Sequence, residues 1–210
     1  MEHGDKVKAE LEKLSKYQDS LPHLGHEIIA ARNGALYPLD FVVIGIVKRS
    51  LSIASAFKTL VIDWNMVCAR ALLRMQIDTV IRFSAFWISD NSHQMAVEVM
   101  QGNQINKMKD RDGNKMTDAY LVKKLSHEFD WMATVYQYTS GYIHFSERHL
   151  FDPITSLEED GRLVELIIND KDQKFPESSW HEIVSCFNQC TEIILAYLKG
   201  YKHIKEGTGW

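Results

Sequence analysis

The run FVVIGIVKRSLSIASAFKTLVI, from Phe41 to Ile62, is the most apolar part of the chain and the strongest constraint on its fold. A helix of this length is long enough to reach across a lipid bilayer. Lys48, Arg49 and Lys58 interrupt it, however, so it falls short of a spanning segment. The alternative is a helix buried in protein, and other segments of the chain must then cover its apolar faces.

Those segments can be read from caps, breakers and periodicity. A first amphipathic helix is expected over Asp5 to Lys16, with Leu11 and Leu14 on one face, and DSLPHLGHE is expected to end it at Pro22 and Gly25. A short helix up to the Asn33-Gly34 turn follows. Asp40 is a candidate cap for the apolar helix, which runs to about Ile62. Asp63 or Asn65 then caps NMVCARALLRMQIDTVIRFSAFWI. Further starts are expected near Asp90 or Ser92, at Thr117 for a helix through Leu125, and at Ser126, where Glu128 and Asp130 favour the first turn. The last long helix is ESSWHEIVSCFNQCTEIILAYLKGYKHI, weakly interrupted at Gly200, and the tail KEGTGW reads as frayed. One extended segment is expected, Arg162 to Ile168, after an Asp160-Gly161 turn. Four or more long helices with short connections make an all-α helical bundle. It is read as a single domain over 1–210, with an N-terminal helix and loop region at 1–39 and the bundle core at 40–205.

Composition narrows the function classes. The chain has 210 residues and a net charge of -4, which argues against a surface coated in nucleic-acid contacts but leaves room for a local basic patch. Cys68, Cys186 and Cys190 make no disulfide framework, and Cys186 and Cys190 share a helix face, more in the manner of small buried hydrophobes than of a redox pair. The charged N-terminus lacks the apolar core of a signal peptide, so a cytoplasmic protein without membrane contact is expected. Asp110, Asp112 and Asn114 mimic the opening of a calcium loop, but Gly113 comes one place early and Leu121 replaces the closing glutamate. His23 and His26 have no partnering ligands nearby, and the sequence shows neither a phosphate-binding glycine loop, nor a nucleophile elbow, nor a di-iron motif. No metal and no cofactor is expected.

The chemistry-bearing residues concentrate in YTSGYIHFSERH, Tyr138 to His149. On a continuous helix from Ser126, a core seam would run through Phe129, Ala133, Tyr136, Ser140, Ile143 and Leu150. Beside it would lie Gln137, Gly141, His144, Glu147 and Arg148. Gly141 would leave a gap next to the His144 imidazole, with Arg148 one turn on. A histidine able to exchange a proton and an arginine offering a planar fork suit a phosphate or another anion. Arg148 and His149 equally fit the basic end of an ordinary helix. Arg70, Arg74, Asp78 and Arg82 form a polar stripe at four-residue spacing. That stripe either steadies a helix surface or, where Arg70 and Arg74 face His144, completes an anion pocket.

CARALLRMQID on one long helix, then MKDRDGNKMTDAYLVKKLS, then YTSGYIHFSERH and a long C-terminal helix resemble the HEPN-like helical proteins of bacteria, including abortive-infection-like members. The resemblance covers roughly Asp63 to His149. It implies an all-α bundle that commonly forms homodimers and a role in defence or toxin–antitoxin systems that binds or cleaves RNA without metal. In the active members an arginine precedes the histidine by a short spacing, often with an asparagine after it. With His144 as the histidine, the arginine slot here holds Gln137, Tyr138 or Thr139, and Ser140 stands in for the asparagine; no arginine of the chain precedes a histidine at that spacing. The resemblance therefore assigns His144 as acid/base, with Arg148 and Arg70 or Arg74 supplying charge and Ser140, Gly141 and His149 completing an anion or ligand site. Two further readings stand beside it: a non-catalytic helical interaction or dimerisation protein with a protein partner, and a bundle that binds a small molecule or nucleotide.

Overall fold

In a computed structural model, which describes residues 2–157 and 163–207, eight α-helices and one small hairpin account for the regular structure. They are α1 (Asp5–Ala30), α2 (Pro38–Ile62), α3 (Met66–Ile88), α4 (Ser92–Met100), α5 (Asp118–Leu125), α6 (Met132–Ser140), α7 (Glu147–Phe151) and α8 (Glu177–Lys205), with strands β1 (Ile154–Leu157) and β2 (Val164–Leu166) before α8. The protein is predominantly all-α, a helical bundle, as its periodicity implies.

Four long helices build the bundle: α1 packs on α2 and α8, and α3 packs on α2 and α8. Paired contacts give the directions. His3 Nε2 lies 2.7 Å from the Val61 carbonyl, and Lys58 donates to Ser15 Oγ at 2.7 Å, so α1 and α2 are antiparallel. Asn188 donates to the Glu10 carbonyl at 2.9 Å, and Lys202 meets Glu27 at 3.1 Å, so α8 runs parallel to α1. It also runs parallel to α3, through Gln76 with Thr191 and Phe83 with Tyr197. The excursion through α4–α7 and the hairpin carries the chain back to start α8 at the end where α3 begins. The rings of Phe57 and Phe187 stack at 4.1 Å in the centre, and Trp180, Leu14, Ile77 and Ile81 are fully buried around them.

α1 is longer than the sequence suggests. Pro22 removes one backbone bond but does not end the helix. Leu21, Leu24, Gly25 and Ile28 are buried on one side, and a Cβ at Gly25 would lie only 3.7 Å from Val47, so close packing on α2 holds the helix through the proline. The region 1–39 is thus part of the bundle, contributing Val7, Leu11 and Leu14 to its core. The helix stops where Arg32 and Asn33 adopt left-handed backbone. Asn65 caps α3 by accepting from the Cys68 amide at 3.0 Å, and Thr117 caps α5. Asp40 accepts from the Tyr37 amide at 2.7 Å, from inside the first turn of α2. β1 pairs antiparallel with β2. The sequence anticipates only the second strand; its Asp160-Gly161 turn and Arg162 lie outside the described residues. Among the described residues no helix is long and apolar enough to cross a membrane.

The largest difference falls on YTSGYIHFSERH. No continuous helix runs from Ser126. Residues 126–131 are turns and an irregular residue, α6 ends at Ser140, and residues 141–146 form a non-helical turn before the short α7. The local cause is visible in the side chains. Thr139 and Ser140 return their hydroxyls to the carbonyls of Val135 (2.6 Å) and Tyr136 (2.7 Å), and a glycine follows at once. The expected seam is displaced with the backbone. Met132, Thr139 and Tyr142 are buried instead, while Ile143 and Leu150 are exposed.

Candidate functional site

The polar stripe on α3 divides between two environments. Arg70 is 4% exposed. Its guanidinium lies 4.8 Å from the Tyr142 ring, 5.2 Å from Tyr138 and 4.6 Å from Phe175, a cage of aromatic faces. It donates to the Tyr142 hydroxyl at 2.6 Å, and Asp152 stands 4.0 Å away. Burial raises the pKa of Asp152 above the usual carboxylate range, and Arg70 only partly offsets this. Burial likewise pushes the Tyr142 phenol up, helped by its hydrogen bond with Tyr138. Arg148 adds to the same cluster, with its guanidinium 4.3 Å from the Tyr138 ring. The gap expected over Gly141 is filled: a Cβ there would sit 2.8 Å from both Cδ and Nε of Arg148. Arg70 therefore ties the 138–152 segment to α3, and Arg148 packs within that segment against Tyr138 and Gly141.

One turn further along α3 the surroundings change. Arg74 lies over the Tyr136 face at 3.8 Å, and its Nε donates to Ser140 Oγ at 3.2 Å. These two contacts fix the plane of its guanidinium. It lines an open cleft of about 220 Å³ together with Arg49, Met75, Asp78, Ser140, Ile143 and His144. Arg49 comes from α2, is anchored by donating Nε–H to Thr79 Oγ1 at 3.0 Å, and lies 3.8 Å from Asp78. Asp78 also pairs with Arg82 at 3.5 Å, and Arg82 with Asp118, so the acids at this edge are shared between two arginines, Arg49 and Arg82. Burial raises the Tyr136 phenol despite the adjacent Arg74. His144 is exposed at the turn that follows α6, not on a helix face.

The candidate residues thus separate. Arg74, Ser140 and His144 meet in one cleft. Arg70, Gly141 and Arg148 belong to the packed aromatic cluster. His149 is absent from the cleft and sits at the rim of the aromatic cluster: its ring meets the Tyr142 ring edge-on at 5.6 Å and stacks on Phe145 at 5.6 Å, and its Nδ1 accepts from the Ser146 amide at 3.3 Å. It borders a different cavity, of about 240 Å³, with Asp152, Lys171 and Lys174. Arg49 is a cleft residue that sequence reasoning missed. Its signal was its position, a charge interrupting the most apolar helix. Cys186 and Cys190 are buried, and burial pushes the Cys186 thiol up to about 11, which suits packing rather than redox exchange. In the loop once compared with a calcium site, Asp110 accepts from the Tyr120 hydroxyl and from the amides of Asp112 and Asn114. Burial would raise the pKa of Asp110, but these bonds prevail and lower it. No family model, curated protein or solved structure matches the chain.

Proposed function

We propose that the protein binds a phosphate-bearing ligand, a short RNA strand or a nucleotide, in the Arg49–Arg74–Ser140–His144 cleft. The observation that carries this reading is the fixed guanidinium of Arg74, clamped by Tyr136 and Ser140 beside a second arginine and a histidine. A pre-organised fork loses little freedom when it takes an anion. The HEPN-like resemblance of YTSGYIHFSERH favours RNA as the source of the phosphate. His144 is the proton-exchanging group available in the cleft, and Arg148 supports the fold from outside it. The test is fluorescence anisotropy with a short labelled RNA at low salt, repeated with ATP as competitor, and with a cleavage assay in EDTA alongside. Wild type should bind, and Arg74→Ala should weaken binding about tenfold with a shallower salt dependence. A folded wild type that binds neither RNA nor ATP at low salt rejects the proposal. EDTA-resistant cleavage lost in His144→Ala would extend it to a ribonuclease.

A second reading, association with another copy, has its own support. Phe145, Leu150, Phe151, Leu166 and Ile168 are all more than half exposed on α7, the hairpin and the turns beside them, and exposed apolar surface of this kind marks contact faces. Sedimentation of wild type against Phe145→Ser/Ile168→Ser is the direct check. A dimer lost in the double variant supports this reading.

A further inference from the structure

At the end of the bundle where α3 finishes and α8 ends, Leu39, Phe83, Phe86, Trp87, Tyr201 and Ile204 wall a cavity of about 290 Å³. None of the phosphate cleft's residues lines it. We propose that this cavity is a second binding site, for a small, uncharged planar aromatic compound of one or two fused rings.

Size and lining set the shape. The volume lies near the lower end of the ~300–1,000 Å³ typical of small-molecule pockets. Its walls are built rather than incidental. Tyr201 donates to Asp40 Oδ1 at 2.9 Å, and Asp40 pairs with Lys205 at 2.9 Å, both side chains being 1% exposed. That buried network fixes the Tyr201 ring as one wall. Trp87, another wall, stacks on Tyr197 at 5.4 Å. Rigid aromatic faces of this kind suit a flat ring.

The polar groups set the chemistry. His93, in the first turn of α4, contributes to the lining, and its Nδ1 is buried with no hydrogen-bond partner among the described residues. That nitrogen is enclosed, so His93 meets the cavity as a ring beside Tyr37 and Tyr201, at 5.6 and 6.5 Å, rather than through Nδ1. Arg111, the cationic side chain of the lining, is already committed: it donates to the carbonyls of Trp87 (2.6 Å), Ile88 (3.2 Å) and Ser89 (3.4 Å), closing the end of α3. Asp90, exposed, adds negative charge to the lining. Arg111 and Asp90 offset each other in charge, and the apolar walls favour a neutral ring over a charged one.

The test uses indole as the probe and benzoate, a similarly sized anion, as the control, measured by calorimetry and ligand-observed NMR on the full chain. Indole should bind saturably and benzoate should not. Ile204→Trp, at a partly exposed lining position, should abolish indole binding with the melting temperature nearly unchanged. His93→Ala, which removes the imidazole face from the lining, should weaken it about fivefold, the worth of one aromatic contact. The inference is overturned by a folded wild type that shows no saturable indole binding. It is equally overturned by benzoate binding as tightly as indole, or by an affinity that neither substitution changes.

Discussion

Arg70 and Arg74 stand one turn apart on the same face of α3, yet they do opposite work. Arg70 is enclosed by Tyr138, Tyr142 and Phe175, and its fork is turned inward to the Tyr142 hydroxyl and Asp152. Arg74 is held by one ring and one hydroxyl at the edge of an open cleft. The repeat that places both on one stripe cannot say which of them meets a ligand. The segment that covers them decides, and the break at Gly141 makes Tyr142 fold down over Arg70 while leaving His144 beside Arg74.

The comparison breaks most sharply at Arg70. Arg70→Met removes the buried cation and leaves Asp152 and the Tyr142 hydroxyl without it, a change expected to cost about 3–5 kcal/mol. Urea unfolding should show this as a large fall in midpoint. Any RNA binding that survives at permissive temperature should keep its wild-type affinity. Arg74→Ala should give the inverse result: a loss of about 1 kcal/mol or less in stability, since the contact is partly exposed, and an about tenfold loss of RNA affinity. Equal stability losses in the two variants would show that the cleft arginine is as structural as its neighbour.

Gly141→Ala sharpens the same contrast from the covering segment. Gly141 closes α6 with a right-handed φ of -65, so alanine meets no left-handed strain, only the Arg148 side chain at 2.8 Å and Ser146 Oγ at 3.2 Å. Displacing Arg148 from Tyr138 should cost about 1 kcal/mol, less whatever alanine gains as a helix former. In an Arg148→Ala background the larger obstacle is gone, leaving Ser146 Oγ at 3.2 Å, and the substitution should cost less than in wild type. A double-mutant cycle on chemical denaturation reads the difference. Additive effects would mean that Arg148 does not occupy the space over Gly141.

The parts legible in the sequence were those governed by local rules. Asn65 and Thr117 cap their helices, and Pro38 to Ile62 is one helix, though it buries a single stripe through Val43, Val47, Ala54, Phe57 and Val61 and leaves Phe41, Ile44 and Ile62 exposed rather than being buried on all faces. Pro22 misled because the cost of one lost backbone bond is local, whereas the burial of Leu21, Leu24 and Ile28 that outweighs it depends on α2 and α8 being present. The break at Gly141 was hidden for a related reason. Its hydroxyl-bearing residues and glycine weaken the helix, but the buried contact of Tyr142 with Arg70, 72 residues away in sequence, holds the turn in place. In the sequence Arg49 is an interruption of an apolar run and Asp40 a candidate cap. Their partners, Thr79 and Asp78 for one and Tyr201 and Lys205 for the other, lie on different helices.

The smallest expected effect lies in the acid beside Arg70. Burial raises the pKa of Asp152 in the folded protein, with Arg70 opposing. The folded state therefore keeps its proton to higher pH than the unfolded chain. Between the ordinary carboxylate value and the raised one, the unfolded chain binds fewer protons, so stability falls as pH rises through that interval. Below the ordinary value both states are protonated and the contribution is fully present. Asp152→Asn removes this titration, so unfolding midpoints measured from acid to neutral pH should converge or diverge between wild type and variant only across that interval, with wild type losing ground as pH rises. No comparable interval is expected between wild type and Arg74→Ala. Parallel curves for wild type and Asp152→Asn would mean that Arg70 holds Asp152 ionised throughout, making the pair a conventional ion pair and the aromatic cage secondary.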